Sequence, residues 1–114
     1  MASPLLVEAF PDLASELQER LSAASEFALA DSIPTLRIHH RSECSDDQCA
    51  MLYTIRDTRP AGGPTHREFA FDSVGGMLVV DVEQDRITCI EVLFRPDVRR
   101  RLVELVPGRP LATR

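Results

Sequence analysis

The chain has 114 residues, 44% of them hydrophobic, with 18 acidic and 13 basic side chains and a formal net charge of −5 at pH 7. That length suits one domain, residues 1–114, with a modest core of its own, and the composition argues against disorder of the whole chain. An acidic surface disfavours nucleic acid, whose phosphates need neutralising, and no run approaches the roughly 20 apolar residues of a membrane span.

The N-terminal stretch MASPLLVEAFPDLASELQERL lacks a basic n-region, and acidic residues interrupt its apolar positions, so it reads poorly as an export signal. Three cysteines without such a signal suggest a reducing cytoplasm. Ser3 to Val7 is expected to form an extra turn or a packed arm. Pro11 fits a first helical position, and Leu13, Leu17, Leu21, Ala24 and Ala28 recur every three or four residues as one apolar stripe. Glu16 and Arg20 stand i,i+4 in the favourable order. The helix should stop near Asp31-Ser32-Ile33-Pro34, because proline restricts its predecessor.

From Thr35 the period changes to two. TLRIHHR alternates Leu36, Ile38 and His40 against Arg37, His39 and Arg41, and CAMLYTIRD alternates Met51, Tyr53 and Ile55 against Leu52, Thr54 and Arg56. RPAGGP is a turn by composition. HREFAFD follows, with Phe69 and Phe71 on one face, and then GGMLVVDV and RITCIEVLF form a hairpin across Glu83-Gln84-Asp85. Both hairpin strands are apolar on both faces, which places them in the middle of a sheet or under cover on both sides. A second helix begins after Pro96 or Asp97, burying Val98, Leu102, Leu105 and Val106 and turning Arg99, Arg100 and Arg101 mostly outward. Pro107-Gly108 stops it, and residues 107–114 read as a flexible tail. The class is α+β: an N-terminal helix, a five-stranded, mainly antiparallel meander sheet, and a C-terminal helix.

Asp72 to Leu93, DSVGGMLVVDVEQDRITCIEVL, resembles the hairpin core of a family of short bacterial proteins known as domain-of-unknown-function family 2283. The matching residues are Val79-Val80-Asp81 and Ile90-Glu91-Val92-Leu93, and Met51 to Ile55 is similar to that family's tyrosine-bearing strand. The turn Gln84-Asp85 departs from the family pattern in having no glycine. The resemblance implies the hairpin and no activity.

The segment HHRSECSDDQC, residues 39–49, holds the densest reactive chemistry. His39, His40, Cys44 and Cys49 are the candidate zinc ligands. Adjacent histidines on a strand face opposite ways and C-x4-C is not the usual chelate loop, so a polar loop is favoured over a metal site or a Cys44–Cys49 disulfide. Cys89 reads as a small buried hydrophobe, and as a nucleophile only if His66 came within reach. Gly62-Gly63 and Gly75-Gly76 lack the loop-to-helix context and the lysine of a phosphate cradle, so no cofactor is expected. With one tyrosine, five phenylalanines and no tryptophan, stacking platforms for single strands are few.

The candidate polar binding face is His39, Arg41, His66, Glu68 and Glu91, if their strands present them together. No catalytic residue is assigned. Size, charge and the lack of a convergent catalytic motif favour a non-catalytic protein acting through protein contacts, with a basic partner and an immunity-like or accessory role. The alternative is an enzyme or small-molecule binder with a polar pocket between the sheet and the N-terminal helix. Pairing of two copies through an open sheet edge is a third, compatible expectation.

Overall fold

The computed structural model describes residues 3–42, 49–55, 65–73, 76–106 and 108–109, with only the backbone of residues 42, 49, 108 and 109. Its elements are α1 (Leu6–Ala9), α2 (Pro11–Ala23), α3 (Phe27–Ser32), a 3-10 turn (Ile33–Thr35), β1 (His40–Ser42), β2 (Cys49–Tyr53), β3 (His66–Ser73), β4 (Gly76–Glu83), β5 (Arg86–Leu93), α4 (Pro96–Leu105) and β6 (Gly108–Arg109). This is the expected α+β class, with helices at both ends and an antiparallel sheet between them. The turn RPAGGP, the loop from Glu43 to Gln48 and residues 110–114 of the tail lie outside the described residues. Gly108 and Arg109 pair in parallel with Arg41 and Ser42.

The sheet order is β3-β4-β5-β2-β1-β6. A continuous meander would set β2 beside β3. Instead β2 pairs antiparallel with β5, so β1–β2 and β3–β4–β5 are two runs joined along one seam. The hairpin of β4 and β5 is therefore interior, as its two-sided apolarity predicts. Gln84 and Asp85, at φ 52° and 61°, make its two-residue connection, and both take the left-handed conformation that type I′ turns require.

The helical third departs from one continuous rod. α2 ends at Ala23, where Ser25 takes φ 63°. Glu26 N–H then donates to Leu21 O at 2.8 Å and Ser25 N–H to Ser22 O at 2.9 Å. This bond pair closes a helix through a left-handed residue, usually glycine. Ala24 and Ala28 consequently leave the apolar stripe for solvent, while Leu29 and Ala30 replace them in the core. The N-terminal arm is both packed and turned: Ile38 N–H donates to Pro4 O, Leu6 N–H donates to Leu36 O, and α1 follows directly.

One core joins Leu6, Leu13, Leu17, Leu21 and Ile33 of the N-terminal layer, Val98 and Leu102 of α4, and Leu52, Leu78, Val80, Val82, Ile90 and Val92 of the sheet. The described helices thus cover one face of the sheet. The other face carries the side chains that matter below.

Candidate functional site

Strand register decides which polar residues meet. Core residues Leu78, Val80 and Val82 alternate with Met77, Val79, Asp81 and Glu83, which must point away from the helices. The pairs Asp81↔Cys89, Val79↔Glu91 and Met77↔Leu93 extend that outer face into β5, and Tyr53↔Cys89 and Met51↔Glu91 carry it into β2. His40↔Tyr53 reaches β1, and Glu68↔Asp81 and Ala70↔Val79 reach β3. One transverse row therefore runs Glu68, Asp81, Cys89, Tyr53, His40, and the next runs Ala70, Val79, Glu91, Met51.

A bulge sets this row. Asp81 pairs with Cys89 but Val82 pairs with Ile87, leaving Thr88 as the extra residue. Thr88 Oγ1 donates back to Asp81 O at 3.3 Å. Without that insertion Glu91 would stand opposite Leu78 and point into the core. With it, Cys89 and Glu91 face outward while Ile87 turns inward and is buried.

The chemistry of the face is acidic and half-apolar. His66 Nε2 lies 3.1 Å from Asp81 Oδ1. Met51, Tyr53 and Val79 are half-buried, and Tyr53 Oη donates to Met51 Sδ at 3.3 Å. Burial first, then the neighbouring Asp81 and Glu68, holds the Glu91 carboxyl above its ordinary range. Cys89 is 6% exposed, and burial, then Asp81, then Glu91 push its thiol far above the usual thiol range. A thiolate is therefore disfavoured there, and Asp81, paired with Cys89 in register, is the residue whose carboxylate His66 contacts. Cys89 is no activated nucleophile.

The five residues of the candidate face divide. His66, Glu68 and Glu91 share the outer face, joined by Asp81, Met51, Tyr53 and Val79, which sequence reasoning had not placed there. Arg41 belongs to the helical side instead: its Nε donates to Val106 O at 2.7 Å, capping the end of α4. His39 turns to Ser3, whose Oγ shares a hydrogen bond with His39 Nδ1 at 2.8 Å. Strict alternation from Leu36 to Arg41 fails because Ile38 and Arg41, three residues apart, both point to the helical side.

The pocket expected between the sheet and the N-terminal helix is filled by the core along most of its length. A cleft of about 300 Å³ opens at one end, lined by Ser32, Arg37, His39, Thr54, Asp85 and Arg86 among others. A shallower groove of about 710 Å³ lies along α2 and includes Asp12, Glu16, Glu19, Arg20 and Arg95. Its carboxylates are partly neutralised, since Arg95 Nη1 sits 2.9 Å from Glu16 Oε1.

Of the candidate zinc ligands, His39 and His40 diverge, one toward Ser3 and the other beside Tyr53. Cys44 lies outside the described residues, and of Cys49 only the backbone is described, paired with Leu93. Among the described residues no three His, Cys, Asp or Glu side chains are grouped to hold a metal ion. No described helix is long and apolar enough to cross a membrane.

The raised carboxyl gives a pH signature. A carboxyl whose folded pKa lies above its unfolded value favours folding when protonated and loses that contribution as pH rises from the unfolded pKa through the folded one. Glu91→Gln is therefore expected to gain stability relative to the parent as pH rises from 3 to 8. Urea midpoints of both proteins across that range check this, and a difference that does not change with pH contradicts it.

Comparison with protein-family models, with curated proteins and with solved structures returned no match.

Proposed function

We propose that the protein is a small, non-catalytic, cytoplasmic binding protein whose basic protein partner docks on the sheet face opposite the described helices. The observation that carries this reading is the grouping of Glu68, Asp81 and Glu91 beside half-buried Met51, Tyr53 and Val79. Burial, then the charges of Asp81 and Glu68, raises the Glu91 pKa, and an incoming lysine or arginine relieves that unfavourable setting of its carboxylate. The apolar side chains between them supply the desolvated area that a contact needs, with the carboxylates setting specificity and on-rate. The net charge of −5 adds long-range steering toward a cationic surface. A toxin-neutralising or pathway-accessory role suits such a face, and the likeness of residues 72–93 to a bacterial family fits a bacterial setting.

A second reading rests on the 300 Å³ cleft. Arg37, His39 and Arg86 at its rim suit a small anion, which would make the protein a small-molecule binder. Its inner end is polar but already paired, since Thr54 Oγ1 donates to Ile87 O at 2.6 Å.

The test is affinity capture from the native host with three folded baits: the parent, Glu91→Lys, and Arg100→Glu on exposed α4 as control. A basic protein retained by the parent and by Arg100→Glu, released by salt and lost from Glu91→Lys, is the expected result. Equal retention by all three baits would overturn the sheet-face reading.

A further inference from the structure

The two edges of the sheet are treated differently. At one edge β6 pairs with Arg41 and Ser42 of β1, and the arm at Pro4–Leu6 bonds to residues 36–38 just ahead of it. At the other edge β3 is eight residues long and pairs with β4 without a register break. Among the described residues nothing lies on its outer side. Natural edges of that length are shortened, bulged, interrupted by proline or covered, because their outward N–H and C=O groups template another strand. Arg67, Glu68 and Asp72 are the charges on this one, and their order along the strand is informative.

We propose that β3 is the joint of a two-fold homodimer in which it pairs antiparallel with β3 of a second copy, centred on Phe69. Residues opposite one another must share a sheet face. On β3 the odd positions point to the helical side and the even ones to the outer face, as Phe69↔Val80 and Glu68↔Asp81 show. Only registers that match odd with odd and even with even survive. Centring on Arg67 sets the two arginines against each other, and centring on Glu68 does the same for the two glutamates. Centring on Ala70 brings Glu68 against Asp72 twice. Centring on Phe71 leaves Arg67 and Glu68 beyond the ladder.

Centring on Phe69 avoids every like-charge pair and keeps seven residues in the ladder. It places His66 against Asp72, Glu68 against Ala70, and Arg67 against Phe71. The aromatic side is already prepared for the last pair: Phe69 and Phe71 stack with centroids 6.2 Å apart, and Arg67 sits 5.3 Å from the Phe69 centroid. Two copies would thus share a strip of four phenylalanines under two arginines. This joint does not rest on the basic-partner reading, although Glu68 belongs to both surfaces.

Exposed Ala70 is the test position, because only this register sets it against Glu68. The parent should sediment at twice its 12.7 kDa at micromolar concentration. Ala70→Glu introduces two symmetric carboxylate pairs and should weaken the dimer by roughly tenfold, whereas Ala70→Lys should tighten it. The double variant Glu68→Lys with Ala70→Glu should return affinity near the parent's. A parent that stays monomeric at the highest soluble concentration overturns the proposal, as does a dimer indifferent to both charges. Weakening by both Glu and Lys overturns it too, since that is the behaviour of position 70 facing itself. Capture of a basic partner, read on the parent and on Glu91→Lys with Glu68 intact, is a separate readout that none of these outcomes alters.

Discussion

Arg95→Met is expected to lower stability by about 2–3 kcal/mol, somewhat below the penalty for breaking a fully buried ion pair. Arg95 Nη1 reaches Glu16 Oε1 at 2.9 Å and Ser73 Oγ at 2.8 Å, while Ser73 Oγ donates to Glu16 Oε2 at 2.7 Å. The triangle ties α2, the end of β3 and the entry to α4, elements up to 79 residues apart. The Arg95 and Glu16 side chains are only 14% and 16% exposed, so losing the guanidinium strands a carboxylate that water reaches poorly. Urea denaturation of Arg95→Met, Glu16→Gln and the double variant separates the pair from its surroundings. A coupling of about 1–2 kcal/mol is expected, and a coupling near zero would show the triangle to be incidental.

The same corner explains an otherwise odd residue. Phe94 is 55% exposed and takes φ 63°, a conformation that a bulky L-residue adopts only at a cost. The left-handed step reverses the chain between β5 and α4 and swings Arg95 inward to Glu16. Strain at Phe94 is thus offset by bonds formed one residue later.

Periodicity was enough to locate β3, β4, β5 and α4, because long runs of one period with turn residues between them admit few alternatives. It was insufficient wherever one residue changed the phase. Thr88, inserted opposite Asp81, moves Cys89 and Glu91 to the outer face, and nothing in RITCIEVL announces a bulge. Ser25 ends α2 in a conformation that glycine normally signals, so the stripe through Ala24 and Ala28 read as unbroken. The pairing of β2 with β5 is a long-range choice, invisible to local pattern. For the site this meant that the residue types at positions 66, 68 and 91 were legible, whereas their convergence on Asp81 and the diversion of His39 and Arg41 were not. Arg41 went to the end of α4 because unsatisfied helix carbonyls attract a cation, and that helix end lies 65 residues on.

Gly76→Ala is expected to cost about 3 kcal/mol, at the upper end for adding one carbon to a packed site. The requirement for glycine at position 76 is proximity. A Cβ there would strike the carbonyl oxygen of Leu93 and lie 3.2 Å from Phe94 Cβ. Leu93 cannot simply retreat, since it is paired with Met77 on one side and Cys49 on the other. For a domain of this length the loss should appear as a fall in Tm of roughly 10 °C. The added carbon presses on the residues that carry the chain into the Arg95 corner, so the two substitutions should not be independent. Gly76→Ala with Arg95→Met should lose less than the sum of the single losses, because a corner already displaced has less left to break. Agreement with simple addition to within about 0.5 kcal/mol would mean that β4, Phe94 and the Glu16–Arg95 pair respond separately.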